Sequence, residues 1–586
     1  MKRTLLARYL SLLLLCSLFA CGENKQAPAP IPTESYVPPR KEVLTKTPLP
    51  FEEVEVAGTR EWRHVTGAFE TPAGPSRYLP ECMGPGVVLF DADGDGDMDL
   101  FVPGGTSFEG QPTQTEARSA FFENTGPFEF RDITASAGLE LRGVYAIGGA
   151  AADFDGDSHT DLLVTTWGGV RLLRNLGAHK FEDVTETAGL TRAPWTDRSG
   201  HQGPDWATSA LWFDGDRDGH LDLFVCNYAK WCPKNDVFDT IDGKTKSYAI
   251  PRKYEGNTCR LYRNRGDATF EDVTEKSGIE LQSAKALGVT MWDINGDGFQ
   301  DLVVANDAQP NFLYLSKGPL QFEEAGLKAN IAYDEDARVR AGMGIAAADD
   351  RNNGGLSIPI GNFSGEPVAL YRQEGMVRFR DMTQQAGIAG PTQSALTFGL
   401  VWIDVDRDGW QDLILANGHL EPDVQRVQET ITYAQPMSFL RNLGGTYEDY
   451  APFAGPAFKT PLVARGMAVA DLDGDGDLDL VVGTNGGPVR FFRNDAPASS
   501  GLRVQLVGRA PNRAAIGAMV EVIAGGHKQR RLVHTGSSYA SQSELTLTFG
   551  LAGAVGAERV KVTWPDGTFE VLLDVAANQT LLVQQR

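Results

Sequence analysis

Short apolar runs separated by polar, glycine-rich turns recur along most of this chain. Six of the runs directly follow an acidic loop of the form D-x-[DN]-x-[DN], whose ninth position is again aspartate. A second run then ends in a glycine turn, as in LLRNLG from Leu172, and a third often follows, as in FEDVT from Phe181. Runs of this length between turn residues predict β-strands. The acidic loops begin at Asp91, Asp153, Asp214, Asp293, Asp404 and Asp471.

One interval between loops, the 111 residues from Asp293 to Asp404 (404 − 293), is much longer than the others. A degenerate copy at 349–355 divides it and brings the repeats to seven. Repeats of a few short strands predict an all-β, seven-bladed β-propeller, with an open solenoid as the alternative. Closure is favoured because the seventh repeat lacks its third strand, while a strand-like segment at 62–66 precedes the first loop and would complete it.

The same pattern predicts two insertions and a second domain. The propeller is assigned to residues 59–497, with insertions near 227–258 and 417–436. Between residues 498 and 586, alternating runs such as RVQLVG and RVKVTW predict a small antiparallel β domain.

The acidic loops have the composition of a site for a hard cation. In the first loop, Asp91, Asp93 and Asp95 stand at positions 1, 3 and 5, Asp99 stands at position 9, and Gly96 permits a sharp turn. Position 12 is Val or Leu in all six loops, which excludes an EF-hand because that site needs Glu there. We therefore expect calcium at about six sites, the alternative being acidic turns that bind no metal. The predicted ligands, with position 7 acting through its backbone carbonyl, are Asp91, Asp93, Asp95, Asp97, Asp99, Asp153, Asp155, Asp157, His159, Asp161, Asp214, Asp216, Asp218, His220, Asp222, Asp293, Asn295, Asp297, Phe299, Asp301, Asp404, Asp406, Asp408, Trp410, Asp412, Asp471, Asp473, Asp475, Asp477 and Asp479.

The fifth repeat is predicted to hold no ion. Arg351 stands at a ligand position, and Ser357 replaces the ninth-position aspartate. The second loop is intermediate, because Ser158 stands where the other loops have glycine.

The N-terminal segment predicts export. Residues 1–20 combine Lys2, Arg3 and Arg8 with an apolar run, which is typical of a secretory signal peptide. The sequence LFAC at 18–21 resembles a bacterial lipobox, which implies lipidation of Cys21; an ordinary signal peptide is the alternative. The proline-rich residues 21–58 are predicted to be a tether. We expect a lipoprotein of the bacterial cell envelope, of the outer-membrane class, held to the membrane by its lipid alone.

The net charge limits the class of binding partner, and the cysteine content limits the possible disulfides. The formal charge of −23 excludes nucleic acid as an expected partner. After removal of the signal and lipidation of Cys21, four cysteines remain, and three pairings are open in an oxidising compartment. A disulfide between Cys232 and Cys259 is favoured, because these residues bracket the first insertion.

The first insertion also carries the predicted partner surface. Tyr228, Trp231, Tyr248 and Tyr254 stand among lysines and arginines, a composition that suits an extracellular protein or an anionic glycan. The alternative is that these aromatic residues pack the insertion against the blade.

Candidate catalytic residues are few. The chain contains no G-x-S-x-G, H-E-x-x-H or Walker A motif. His201 and His419 are candidate transition-metal ligands near a propeller face, with ordinary loop hydrogen bonding as the alternative. Ser537, Ser538, Tyr539 and Ser541 form either a polar recognition loop or a simple turn.

The loops D-x-D-G-D-x-x-x-D-L, with their L-x-R-N-x-G and F-x-D-V-T partners, resemble FG-GAP/VCBS repeats. The tail, with NRAAIGA from Asn512, GSSYASQSE from Gly536 and VTWPDG from Val562, is similar to the ASPIC/UnbV domain. This pairing resembles the cartilage acidic protein family. The resemblance implies a seven-bladed calcium propeller of extracellular type and no defined reaction.

The sequence thus predicts a calcium-binding envelope lipoprotein that acts as a binding or adhesion module. An envelope enzyme with a site at the propeller's central channel or face is the alternative hypothesis, and a purely structural envelope protein is the third.

Overall fold

A computed structural model of the protein describes residues 46–586 apart from 72, 73, 110, 281 and 498. The predicted signal peptide, the lipidation site Cys21 and the predicted tether up to residue 45 lie outside the described residues. Within the described part, no helix is both long enough and apolar enough to cross a bilayer.

The protein is almost all-β, as predicted. Throughout residues 46–586, apart from the five gaps, helices are single turns of three or four residues. They are Ala57–Thr59, Leu79–Cys82, Thr134–Ala137, Pro233–Asn235, Pro251–Lys253, Thr274–Ser277, Ala389–Thr392, Val424–Arg426, Ala451–Phe453 and Ala457–Lys459. Two small ribbons pair Glu70–Thr71 with Gly74–Pro75 and Trp195–Thr196 with Gln202–Gly203.

Seven antiparallel sheets, which we number 1 to 7, follow one another in the described chain before residue 498. In the four-stranded sheets the acidic loop joins the first strand to the second. Sheet 5 has only three strands; its degenerate loop precedes Ser357–Ile360, and two isolated bridges, Ile345 to Ile360 and Ala348 to Ser357, stand in place of a first strand. The propeller fold class is confirmed, while the blade number stays a prediction that the seven sheets support. Sheets 1 to 3 are Val88–Phe90, Asp99–Val102, Ala120–Gly126, Glu129–Asp132; Tyr145–Ala152, Asp161–Trp167, Gly169–Asn175, Phe181–Asp183; and Ala207–Phe213, Asp222–Asn227, Arg260–Asn264, Phe270–Asp272. Sheets 4 to 7 are Ala286–Trp292, Asp301–Asn306, Phe312–Ser316, Phe322–Glu324; Ser357–Ile360, Ala369–Gln373, Phe379–Asp381; Thr397–Ile403, Asp412–Asn417, Ser438–Asn442, Tyr447–Asp449; and Ala464–Ala470, Asp479–Thr484, Arg490–Asn494, Phe51–Val54.

The apolar core lies between neighbouring sheets. Phe90 and Phe121 of sheet 1, for example, stack with ring centroids 5.8 Å apart and pack edge-on against Phe181 of sheet 2. Aromatic pairs in this arrangement add about 0.5–1.5 kcal/mol each beyond the area they bury.

An N-terminal strand completes sheet 7, but it is not the predicted one. Phe51–Val54 pairs antiparallel with Arg490–Asn494, whereas residues 62–66 form no strand. Trp62 instead packs in the core, and its Nε1–H donates to the Arg118 carbonyl. Leu49 is also buried, so residues 46–58 are part of the folded body rather than the predicted tether. The pattern of apolar residues did not predict this strand, because two of its four residues are glutamates.

The C-terminal domain packs two sheets around its own core. One sheet contains Leu547–Gly550, Gly501–Val507 and Thr580–Gln584, and the other contains His527–Leu532, Met519–Ala524, Gly556–Thr563 and Phe569–Ala576. The domain is mainly antiparallel, as predicted, but it contains one parallel pair, because Gly501–Val507 runs parallel to Thr580–Gln584. The chain passes through the second sheet between those two strands, which permits a parallel arrangement.

A loop of the C-terminal domain fills the centre of the propeller. This plug, residues 535–543, contains the serine-rich motif noted in the sequence, and its polar side chains bond to backbone groups of the inner strands. Ser538 Oγ accepts the Leu400 N–H of sheet 6 at 3.0 Å, and Gln542 Oε1 accepts the Ala151 N–H of sheet 2 at 2.8 Å. A methyl group at Gly86 or Gly148 would collide with the plug's Ala540 carbonyl oxygen, so both positions need glycine.

Candidate metal centre and the insertion face

Acidic loops and insertions lie at opposite ends of the sheets. In sheets 3 and 6 the acidic loop joins the first strand to the second, while the insertion joins the second to the third. Because consecutive strands are antiparallel, these two connections leave the sheet at opposite ends. We call the end with the two insertions the insertion face.

The first aspartate of each acidic loop closes a turn. In the first loop, Asp91 Oδ2 accepts the Gly96 N–H at 3.1 Å, and Gly96 has a φ of +98°. The position-6 N–H makes this bond at 2.9–3.1 Å in all six loops. Position 6 therefore favours glycine, as predicted, although Ser158 adopts a φ of +80° there in the second loop.

The ninth-position aspartate ties each loop to two strands. Its Oδ2 accepts the N–H of position 2 at 2.9–3.3 Å. Its Oδ1 accepts an N–H from the third strand at 2.7–2.9 Å. Each oxygen has a further lone pair, so this structural role leaves capacity for a cation.

Three carboxylates converge in the acidic loops. Carboxylate oxygens at positions 1, 3 and 5 lie within 4.8 Å of one another in the loops beginning at Asp91, Asp214 and Asp404, as do those of Asp153, Asp155 and Asp161 in the second loop. Asp214 Oδ1 is buried and has no hydrogen-bond partner in the protein. Convergent oxygens with an unused buried acceptor fit a hard, oxygen-seeking cation such as Ca²⁺.

Burial makes the negative charge of these loops costly. It raises the pKa of Asp99, Asp161 and Asp479 to about 8. The pKa of Asp301 rises to about 7 and that of Asp214 to about 6, again mainly through burial, with neighbouring carboxylates adding to the rise. A divalent cation would offset this cost directly, because it favours the ionised form of each ligand.

The backbone at position 7 is also held in place. Its N–H donates to the position-5 carboxylate at 2.9–3.0 Å at each of these residues: Asp97, His159, His220, Phe299, Trp410 and Asp477. That their carbonyls bind the ion stays a prediction.

The sequence alone did not predict the basic side chains that lie next to the carboxylates of the acidic loops. The arginine of the R-N-x-G signature lies on the carboxylates at positions 3 and 5, as when Arg263 Nε approaches Asp216 Oδ2 to 2.8 Å. Arg174 and Arg441 do the same in their loops. The first repeat has Glu123 at this position, and His179 Nε2 lies 3.5 Å from both Asp93 and Asp99. The repeated arginine in the sequence was the available signal.

In the loop of the fifth repeat, Arg351 stands at position 3, where the other loops have Asp or Asn, and the carboxylates of Asp349 and Asp350 are paired with protein groups. Arg372 and the Tyr447 hydroxyl both donate to Asp350 Oδ2, and Ser357 Oγ donates to Asp350 Oδ1. Arg530 lies 3.4 Å from Asp349. These groups offset the two carboxylates without an ion.

The asparagine of the R-N-x-G signature links neighbouring sheets. Asn264 Nδ2 donates to the Phe154 carbonyl of the preceding acidic loop at 2.8 Å and to the Leu221 carbonyl of its own at 3.1 Å. Gln373 reaches the Ile294 carbonyl in the same way from sheet 5, where the signature reads RQEG. Equivalent bonds join Asn175 to Ala92, Asn442 to Asp350 and Asn494 to Val405.

The predicted partner surface requires correction. Tyr228, Trp231 and Tyr254 are buried, and Tyr248 is partly buried. They pack the first insertion onto the propeller, where Trp231 and Trp206 have ring centroids 6.0 Å apart. Because most of the surface of these side chains is apolar, they form the hydrophobic core of the insertion. The insertion instead displays apolar side chains, namely Phe238 (61 % exposed), Ile241 (40 %) and Ile250 (55 %).

The favoured disulfide also requires correction. Val225 pairs with Arg260 across sheet 3, and this register places Cys226 directly opposite Cys259. Cys232 begins a separate helical turn, where its N–H donates to Asn235. All four cysteines of the described residues are reduced in this structure.

The two candidate histidines occupy separate surroundings. His201 lies at an exposed turn, with its Nδ1 3.0 Å from Asp197 Oδ2. His419 is buried at the insertion face, where its Nδ1 accepts the Glu421 N–H at 3.0 Å.

Comparisons with known proteins agree with this architecture. Residues 508–586 match the family described as ASPIC and UnbV, residues 153–225 and 242–304 match the FG-GAP-like repeat, and residues 463–500 match the FG-GAP repeat. Human and mouse cartilage acidic protein 1 are each 25% identical to this chain over 507 residues, which is 82% of this chain and 69% and 70% of theirs.

Two solved structures show a weaker likeness. YCF48 bound to D1 peptide aligns with 76% of this chain and 98% of its own at 9% identity and a TM-score of 0.38. An Agrocybe aegerita lectin that recognises non-reducing terminal N-acetylglucosamine aligns with 70% of this chain and 86% of its own at 15% identity and a TM-score of 0.36. At these TM-scores neither protein's ligand bears on this chain.

Proposed function

Because the chain contains FG-GAP repeats and a C-terminal ASPIC/UnbV domain and is homologous to cartilage acidic protein 1, we propose that it is a calcium-stabilised binding or adhesion module of the cell envelope. The observation that carries this proposal is the convergence of three carboxylates in each of four acidic loops, at positions 1, 3 and 5 in three of them and at positions 1, 3 and 9 in the second. Calcium bound there would neutralise the loops and stiffen one end of the sheets.

The insertion face is the surface proposed to meet a partner, which we expect to be an extracellular protein or a glycan. It carries exposed apolar side chains in the first insertion, together with the exposed Val427 of the second. Scaffolds of this kind place specificity in long loops, while the sheets hold those loops in a fixed arrangement. The proposed envelope location rests on the N-terminal sequence, with Cys21 as the lipid anchor.

Metal content and stability test the calcium part of this proposal. The full chain, purified without chelator and dialysed against low calcium, should retain about six calcium ions per molecule by plasma mass spectrometry. EGTA should lower the melting temperature and calcium should restore it, because a site at one hundred times its Kd adds about 2.7 kcal/mol. A chain that binds no calcium and melts identically with and without chelator would overturn it.

A partner screen tests the binding part. The full chain should bind at least one member of an array of extracellular glycans and envelope proteins, and Ile250→Asp should weaken that binding. Glu55→Gln, a change at an exposed ion pair outside both insertions, is the control. Binding that Ile250→Asp leaves unchanged would exclude the insertion face.

A further inference from the structure

Two residues that break the repeat pattern lie together beside the first acidic loop. The first is Glu123, which stands where five other repeats have an arginine, namely Arg174, Arg263, Arg372, Arg441 and Arg493. The second is His179, two residues before the aromatic residue of the last strand of sheet 2. The corresponding residue of each other described sheet is apolar or glycine: Leu49, Phe128, Ala268, Leu320, Val377 or Gly445.

His179 reaches the first loop from the neighbouring sheet. Its Nε2 lies 3.5 Å from Oδ2 of both Asp93 and Asp99, and it makes no hydrogen bond to the protein. One donor atom from each of Asp93, Glu123 and His179 lies within 4.8 Å of the other two. An imidazole and three carboxylates therefore converge at this place, whereas the other acidic loops have carboxylates alone.

The separations at His179 Nε2 fit a shared ion better than a direct bond. A hydrogen bond between nitrogen and oxygen is about 2.7–3.2 Å long. Two ligand atoms that each lie about 2.1 Å from a tetrahedral ion are about 3.4 Å apart. The two distances of 3.5 Å match this spacing between ligands. Imidazole nitrogen binds Zn²⁺ and similar transition metals, whereas Ca²⁺ takes oxygen ligands.

The local charge also favours a further cation. The first loop contains five aspartates and lies beside Glu123, whereas the third contains four aspartates and lies beside Arg263. Arg131 donates to Glu123 Oε2 at 2.8 Å, but Arg131 is exposed, so this pair stabilises the protein little. A divalent ion would offset the carboxylate charge that an arginine offsets in the third loop.

An ion can reach these groups from solvent. The side chains of Asp93 and Glu123 are 29 % and 17 % exposed, so the cluster lies at the surface. His179 Nε2 is buried next to the carboxylates, and an ion approaches it through those carboxylates rather than through a cavity. Asp93 Oδ1 accepts the Asp95 N–H at 3.3 Å within the loop, while Oδ2 faces His179. The two oxygens of Asp93 can therefore serve two different ions.

We propose that His179 Nε2, Asp93, Asp99 and Glu123 form a structural site for Zn²⁺ that joins sheets 1 and 2. Four protein ligands leave no open coordination position, which distinguishes a structural zinc site from a catalytic one. The inference goes beyond the proposed function, because it adds a second kind of ion. It depends on neither calcium nor the lipid anchor.

Zinc retention by the full chain tests the site. After incubation with zinc and dialysis against zinc-free buffer that contains excess calcium, plasma mass spectrometry should find about one zinc ion per chain. Co²⁺ in place of zinc should give the visible absorption of a four-coordinate ion with a nitrogen ligand. A chain that retains no zinc in excess calcium would overturn the proposal.

Two variants that restore the repeat pattern test the ligands. Glu123→Arg gives the first repeat the residue of Arg263, and His179→Leu gives sheet 2 the residue of Leu320 in sheet 4. Each should weaken zinc binding by at least about a hundredfold, because even an outer neighbour of a metal ligand can contribute that much. Calcium content should stay the same in Glu123→Arg, since the third loop is predicted to bind calcium beside its arginine.

His201→Leu is the matched control. His201 also has a carboxylate neighbour, with its Nδ1 3.0 Å from Asp197 Oδ2, but it lies outside the proposed site. This variant should retain zinc like the unchanged chain. Equal losses in His179→Leu and His201→Leu, or full zinc binding by Glu123→Arg, would contradict the proposal.

The two metal contents separate this inference from the proposed function. A chain that binds calcium but no zinc would refute the zinc site and leave the proposed function standing. Zinc that is retained by a chain without calcium, and is lost in Glu123→Arg, would refute the calcium part of the proposed function and support the zinc site.

Discussion

The Arg530 guanidinium of the C-terminal domain lies 3.4 Å from the Asp349 carboxylate of the fifth repeat and donates to the Gly354 carbonyl. A protein cation thus occupies the neighbourhood in which the other loops are predicted to hold an ion. Arg503 likewise pairs with Asp471 of the seventh repeat, so the C-terminal domain reaches two loops. Arginines of the C-terminal domain therefore pair with carboxylates in two of the loops at this end of the propeller.

Two matched substitutions should distinguish a loop that binds calcium from the degenerate loop of the fifth repeat. Asp216→Asn removes a carboxylate from a predicted ligand set and should reduce retained calcium by about one ion per chain. Asp349→Asn should leave the calcium content unchanged, because Arg351 and Ser357 stand at two ligand positions of that loop and leave it without a full ligand set. Plasma mass spectrometry after dialysis against low calcium measures both. Equal calcium losses would refute the distinction between these loops.

Cys226 and Cys259 should form a disulfide when the protein is exported. They face each other across sheet 3, and the closed loop would span 33 residues (259 − 226), which stabilises a protein by about 3–4 kcal/mol. Peptide mapping by mass spectrometry without reductant should find this bridge. Cys232→Ser should leave it intact, and a bridge between Cys232 and Cys259 would show that the register argument is wrong.

Ser158→Gly should stabilise the protein by about 1 kcal/mol, because it removes a left-handed φ of +80° from a residue with a side chain. Gly96→Ser should destabilise it by a similar amount, since a Cβ there would meet no neighbouring atom and only the backbone conformation is affected. Urea unfolding in excess calcium measures both changes. Effects of the same sign would rule out backbone strain as the cause.

Glu81→Gln should stabilise the protein at pH 8 by about 1–3 kcal/mol. Burial raises the pKa of Glu81 from 4.5 to about 7, and Oε2 has no partner. Between those pH values the folded state keeps a proton that the unfolded state has lost, so stability falls as pH rises. At pH 5 the substitution should have little effect.

Urea unfolding at pH 5 and pH 8 gives the comparison. The exposed Glu55, which pairs with Arg60, provides the control substitution Glu55→Gln, and its effect should stay within about 0.5 kcal/mol at both pH values. A Glu81→Gln gain that is equal at both pH values would assign the effect to packing rather than to charge.

The acidic loops could be predicted from sequence because their chemistry is local. Positions 1 to 9 lie within one turn, and the need for glycine at position 6 follows from a single backbone angle, as Gly96 illustrates. The strand content followed from apolar runs in the same way. These features depend on neighbours along the chain, which a pattern records directly.

The missed features depend on partners distant in sequence. Phe51–Val54 is a strand only because Arg490–Asn494 offers it an edge. The sequence around Trp231 is consistent with an exposed side chain and with a buried one. Trp231 is buried because it packs against Trp206, a residue 25 positions earlier in the chain (231 − 206). Likewise, the choice of Cys226 over Cys232 follows from strand register.

The plug and the closing strand also determine when this protein can finish folding. Phe51–Val54 is synthesised long before its partner strand Arg490–Asn494. The plug, residues 535–543, which bonds to the inner strands, is synthesised later still. Early sheets therefore emerge with bonding groups whose partners have not been synthesised, although domains generally fold as they are made. A nascent chain that ends at residue 497 has all its repeats but an unfilled centre. The last 89 residues (586 − 497) thus complete the propeller as well as adding a domain to it.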